Sequence, residues 1–307
     1  METRSRAVVN SFIAWYLFLA GMGGGAFLIG AVVDIALRFS DSERLGRIGA
    51  VTDGGLILGP AAVVLGAVFL LADLGSPERA FQVFFTPSAS LLTIGSWAIA
   101  VFCACSVAAL LVGGMVETTV SRVAEAVLHG LATLAACCVI LYSGIYLSTF
   151  PTVPFLHTPV VPVLFVASAL STGMALLMIF GFVIRDHEDV LEGMADCARM
   201  DLALIAVEVV SLCAFLWLSF DSSSQAADSA YALLFGEQAG LLWLGVVAVG
   251  MAAPVALEAA HLRGVDPFVL AIGAGCVSVG GLCLRYALLL VAVRYSAVDM
   301  SAVAFWG

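Results

Sequence analysis

The residues able to do chemistry in this sequence stand where an apolar side chain would be expected. Glu208 lies inside the apolar run 202–218 and Arg285 inside 269–293. A charge in hydrocarbon is costly, so both are expected to face a protein interior, where pairing would offset part of their desolvation. Such a pair could relay protons or line a polar cavity, or it could be an ion pair that only locks helices. Glu125 and His129 are four residues apart, one turn on the same helical face. Tyr142 and Tyr146 repeat that spacing further along the same run. His129 and Tyr142 would stand about 20 Å apart along a helix axis, titratable groups near one end and phenols near the other. A buried tyrosine seeks a hydrogen-bond partner. A quinone carbonyl, a backbone carbonyl or a place at the membrane interface would each serve.

Other chemistries lack their residues. The four histidines are His129, His157, His187 and His261, and only His129 is well inside an apolar run. A bis-histidine haem needs two at matching depth. Of the eight cysteines, Cys103, Cys105, Cys137, Cys138, Cys213, Cys276 and Cys283 fall inside apolar runs and only Cys197 lies near a loop. No C-x-x-C or ferredoxin-like spacing occurs, so neither a zinc site nor an iron–sulfur cluster is signalled. The run Gly21–Gly25 has no preceding strand and reads as a G-x-x-x-G face for close helix approach rather than a nucleotide loop. Net charge is −10 and all twelve basic residues are arginine, with no basic stripe for nucleic acid.

What must position these groups follows from composition. The 307 residues are 63% apolar and 11% charged, with a mean hydropathy of +1.13, far from the make-up of a soluble domain. A bilayer core needs about 20 to 25 apolar residues per helix, so the chain supplies about eight. A β-barrel would show alternating apolar residues, whereas these runs are continuous. The expectation is a single all-α integral-membrane domain, 1–307, with spans at 12–37, 53–73, 89–114, 123–149, 160–184, 199–220, 238–260 and 267–293. The first run is too long for a signal h-region and reads as a retained helix. An even number of spans puts both termini on one side. Loops after odd-numbered spans carry seven arginines against four for the tails and the other loops, which points to both termini outside. No short-period repeat is visible, and a four-plus-four division of the spans carries little weight.

The loop after span 2, Asp73-Leu74-Gly75-Ser76-Pro77-Glu78-Arg79, starts a short amphipathic segment with an N-cap serine and a first-turn proline. It also carries a resemblance. Trp15-Tyr16-Leu17-Phe18-Leu19-Ala20-Gly21 with the small residues up to Ala26-Phe27-Leu28 resembles the opening helix of the polysulfide reductase NrfD family. Asp73 to Arg79 matches that family's D-L-G-x-P-E-R signature at every fixed position. Ser96-Trp97 follows. Tyr142-Ser143-Gly144 then leads to Pro151, Pro154, Pro159 and Pro162, and to Ser168-Ala169-Leu170-Ser171-Thr172-Gly173, with Gly280-Gly281 and Arg285 near the end. Where the family has a tryptophan and an asparagine, Leu156 and His157 stand here.

The resemblance implies a membrane anchor in the bacterial cytoplasmic (inner) membrane. It would exchange electrons between a menaquinone or ubiquinone pool and a ferredoxin-like iron–sulfur subunit, often alongside a molybdopterin catalytic subunit. The anchor itself would hold no haem, metal or cluster. It further implies a quinone site at the outer side, with Tyr142 the matching tyrosine, joined by Tyr146 and by Asn10, Trp15 or Tyr16. Asp73, Glu78, Arg79 and His157 would face the partner. Glu125, His129, Glu208 and Arg285 are the candidates for a proton path. Two other classes remain in view at this point: a small-molecule or ion transporter using Glu208 and Arg285, and a purely structural anchor.

Overall fold

The computed structural model describes residues 2–40, 42–73, 90–114, 118–149, 153–184, 188–261 and 266–303, and among them there are helices and no strands. Eight helices are long and apolar enough to cross a membrane: Ser11–Leu37, Glu43–Asp73, Leu91–Gly113, Thr119–Ser148, Val160–Val183, Val190–Ser222, Leu241–Ala260 and Pro267–Ala292, numbered here as spans 1 to 8. The protein is an all-α polytopic membrane protein. Trp217, Val210 and Leu244 are more than two-thirds exposed, as side chains facing lipid would be.

Local sequence sets where the spans begin. The Ser90 hydroxyl accepts from the Thr93 N–H, and Thr118 and Ser121 close a reciprocal capping box at the start of span 4. Two helices run past their expected ends. Span 2 is preceded by a short helix, Glu43–Thr52, and the helix of span 6 begins at Glu188. These polar turns support each other: Asp196 accepts from Arg44 at 2.8 Å and from Arg199 at 2.6 Å, and Arg47 pairs with Glu192.

Spans 1 to 4 form a ring in which each helix touches the next and span 4 closes on span 1; spans 5 to 8 form a second such ring. The rings meet where span 1 packs on span 5. These two helices are therefore the most enclosed, 78% and 67% buried over their apolar windows, against 22% for span 3. A four-plus-four division, which carries little weight in the sequence, is plain in the packing.

Small residues allow that seam. A Cβ on Gly25 would stand 2.1 Å from the Ala169 carbonyl oxygen, and one on Gly173 would stand 2.4 Å from the Ala26 nitrogen. Without lipid-excluding hydrophobic drive between helices, such close backbone approach supplies the packing energy. Spans 7 and 8 cross in the same way at Gly250 and Gly280. Span 7 is a π-helix over Leu241–Ala252, then α-helical from Ala253. Pro254 explains the change: it has no N–H, and its ring crowds the Gly250 carbonyl, so the preceding turns widen.

A Gly25→Val substitution should lower stability by about 1–3 kcal/mol through overpacking at the seam. Gly130→Ala, where a Cβ meets nothing within 4 Å, should be neutral. Unfolding midpoints in detergent check both.

Candidate functional site

Several groups of polar side chains sit inside the bundle, and the first gathers at one end of spans 1 and 4. Tyr142 and Tyr146 pack with ring centroids 5.6 Å apart. Their helix brings them to this end because an i, i+4 pair shares a face. Gly95 of span 3 lies directly beneath the Tyr142 ring, where a Cβ would fall 2.3 Å from the ring carbon bearing the hydroxyl. Tyr16 of span 1 lies within electrostatic range of both phenols and is only 6% exposed. Three phenols from two helices thus form one cluster, with Tyr142 and Tyr146 partly exposed and Tyr16 enclosed.

Trp15 takes another direction. Its ring stacks on Phe69 of span 2 at 5.9 Å, and Phe12 packs on the same ring at 6.1 Å. One turn beyond Phe69, Asp73 ends span 2, and its buried Oδ1 has no hydrogen-bond partner among the described residues. His157 closes the far side of this end: its Nδ1 lies 2.7 Å from the Ser148 carbonyl oxygen at the end of span 4. The loop bearing it is pinned by Phe155, which packs edge-on against Phe215 at 4.9 Å. The side chain of Asn10, and Glu78 and Arg79, lie outside the described residues.

The second group is centred on Arg285, which is 1% exposed. Its Nε donates to the Leu17 carbonyl at 3.2 Å, and Nη1 donates to the Ser168 hydroxyl at 3.1 Å and the Gly281 carbonyl at 2.7 Å. The guanidinium lies between the rings of Phe18 and Phe165, 5.7 Å from each centroid, in reach of a cation–π attraction. Spans 1, 5 and 8 therefore all contribute to solvating one cation. Glycine makes the room: a Cβ on Gly21 would lie 2.8 Å from Nη2 and one on Gly281 3.3 Å from Nη1. Gly21, read in the sequence chiefly as a helix-packing residue, also admits the arginine.

Glu208 of span 6, 6% exposed, stands against Ser168 and within charge–charge range of Arg285. The structure brings these two residues together around a serine, without a direct ion pair among the described residues. Glu125 and His129 stand apart from them. His129 Nε2 is 3.9 Å from Glu125 Oε1, its ring stacks on Phe27, and Glu125 lies against Gly113.

The phenol cluster and Arg285 are linked through span 1, since the carbonyl held by Arg285 belongs to Leu17, the residue after Tyr16. Tyrosine hydroxyls can hold the oxygens of a flat, lipid-soluble ligand, and a quinone headgroup fits that donor set. Sequence reasoning missed Asp201 and Glu258, both fully buried. Asp201 carried a signal, because it precedes Glu208 by seven residues and so shares its helical face.

The chain is similar to known proteins along most of its length. The C chain of polysulfide reductase from Wolinella succinogenes is 27% identical over 301 residues, covering 90% of this protein and 92% of that one. Protein NrfD of Escherichia coli K12 is 29% identical over the same shares of both proteins. A Protein NrfD homolog of Haemophilus influenzae is 26% identical over 276 residues, covering 79% of this protein and 80% of that one. The family model described as polysulphide reductase, NrfD, matches residues 1–295, and the chain belongs to that family.

Proposed function

We propose that this chain is the quinone-interacting subunit of a bacterial inner-membrane oxidoreductase, exchanging electrons between a menaquinone or ubiquinone pool and a ferredoxin-like iron–sulfur partner. The observation that carries this reading is the cluster of Tyr16, Tyr142 and Tyr146 at one end of the bundle. A molybdopterin subunit beyond the iron–sulfur protein would supply the terminal chemistry. The arginine balance of the loops favours an outward-facing phenol end, where Asp73, Glu78, Arg79 and His157 would meet the partner.

Oxidising a quinol releases two electrons and two protons. The Tyr142 hydroxyl would hold one quinol oxygen, with Tyr146 beside it and Tyr16 behind. The stacked Phe12, Trp15 and Phe69 would wall the ring from lipid. Electrons leave to the partner's nearest cluster. Protons need acceptors: Asp73 at the mouth is one, and the Ser168–Glu208–Arg285 group is another on the inward side. Arg285 has a positioning role, because its bond to the Leu17 carbonyl holds the turn that presents Tyr16.

Tyr142→Phe should lower quinol oxidation by the purified complex about tenfold or more, the cost of leaving one polar partner unmatched. Tyr231→Phe, on an exposed surface, should leave it unchanged. A purely structural anchor would show no difference between the two. Arg285→Lys keeps a charge but not the fork that reaches Leu17, Ser168 and Gly281 together. It should raise KM for quinol more than it lowers kcat, measured by steady-state kinetics over a quinol titration.

A further inference from the structure

The buried polar residues continue past Glu208, away from the tyrosines, and end in a group that quinol chemistry at the phenol cluster does not require. Asp201 precedes Glu208 by seven residues, two turns along the same face of span 6 and about 10 Å along its axis. The Asp201 Oδ1 accepts from the Ser171 hydroxyl at 2.9 Å. Ser171 is one turn beyond Ser168 on span 5, so the two serine hydroxyls step from the Arg285 group towards Asp201. Facing Asp201 from span 7 is Glu258. Both residues are 0% exposed.

The oxygens of this pair are not satisfied. Oδ2 of Asp201 and both Oε atoms of Glu258 are buried with no hydrogen-bond donor among the described residues. Among the described residues the nearby helices bring none; the side chains of His261 and Arg263, just after Glu258, lie outside them. Span 8 presents Gly273 to Glu258, with a Cβ there 3.7 Å from Oε1, and residues 267–284 carry no charge. Span 6 adds Cys197, fully buried one turn before Asp201, and Asp196, which is held by Arg44 and Arg199 at the bundle surface. Arg285 serves Ser168, Leu17 and Gly281, not this pair. Two opposed carboxyls without a donor are compatible when a proton lies between them, one carboxyl donating to the other. The polar end of span 6, where exposed Arg44 and Arg199 meet Asp196, begins five residues before Asp201, about 7 Å along the helix axis.

We propose that Asp201 and Glu258 share a proton and form the station through which the buried Ser171–Ser168–Glu208 chain exchanges protons with the aqueous phase at the end opposite the tyrosines. The proposal rests on the quinone reading of the tyrosine end. In inward transfer a proton leaves a Glu258 carboxyl oxygen and joins Asp201 Oδ2. Asp201 in turn releases a proton to the Ser171 hydroxyl, which passes its own on towards Ser168 and Glu208, and Glu258 is reprotonated from water. Outward transfer runs the same steps in reverse, with no net change in either carboxyl. Glu258 and Asp201 are positioning residues for protons and touch no quinone.

The test uses the whole complex in proteoliposomes, with a pH-sensitive dye on the side of Asp201 and Glu258 and quinol oxidation followed at the same time. The wild type should exchange protons with that phase during turnover. Glu258→Gln and Asp201→Asn should each reduce protons per electron about tenfold, while Glu43→Gln on the same exposed surface should not. Unchanged protons per electron in both variants would overturn the proposal. Infrared difference spectra of the wild-type complex in H2O and D2O read the shared proton directly, whether or not the variants assemble or the complex oxidises quinol. An exchangeable protonated-carboxyl band between about pH 5 and 9 is expected, and its loss in Glu258→Gln if that variant assembles. No such band, or a band abolished by sodium ions, would overturn it. Failure of the wild type to oxidise quinol would instead count against the quinone reading.

Discussion

One buried cation organises this bundle. Arg285 cannot reach water, so each N–H it carries must be met by protein, and an unmet charge at this depth would cost more than most helix contacts supply. Three spans are drawn together to meet it: the Leu17 carbonyl of span 1, the Ser168 hydroxyl of span 5 and the Gly281 carbonyl of its own helix. The glycines of the seam follow from the same need. Gly21 and Gly281 leave space for the guanidinium, while Gly25 and Gly173 let spans 1 and 5 approach closely enough for their polar groups to converge on it. The two rings of four helices join where this cation sits.

From that centre the molecule reads in two directions. Towards one end, the turn of span 1 held by Arg285 carries Tyr16 into the phenol cluster, where a quinone headgroup would be bound by hydroxyls and walled by aromatic rings. Towards the other, Ser168, Glu208, Ser171 and Asp201 lead to Glu258. The described residues thus offer hydrogen bonds and carboxyls, which can bind oxygens and move protons.

Much of this was legible in the sequence. The eight apolar runs located the spans, because hydrocarbon tolerates only continuous helix. Glu208 and Arg285 stood out for the same reason, and their convergence followed from the cost of leaving either alone. Tyr142 and Tyr146 were visible from their spacing. Asp201 and Glu258 were not, because a carboxylate within a few residues of a span end looks like one that reaches water. Only the packing of spans 5, 6 and 7 shows both to be enclosed. The role of Gly21 was half legible: its G-x-x-x-G spacing announces close packing, but the arginine it admits lies near the other end of the sequence. The π-helical start of span 7 has a local cause in Pro254, yet a proline in a membrane helix more often announces a kink.

The central claim is that the phenol cluster holds a quinone, and the most direct measurement is covalent mapping of where a quinone sits. A photoactivatable quinone analogue, irradiated with the purified complex and followed by peptide sequencing, should label the stretch of span 4 bearing Tyr142 and Tyr146 and the stretch of span 1 bearing Trp15 and Tyr16, and excess natural quinone should suppress both. Labelling confined to other spans, or labelling of these stretches that natural quinone does not compete away, would contradict it.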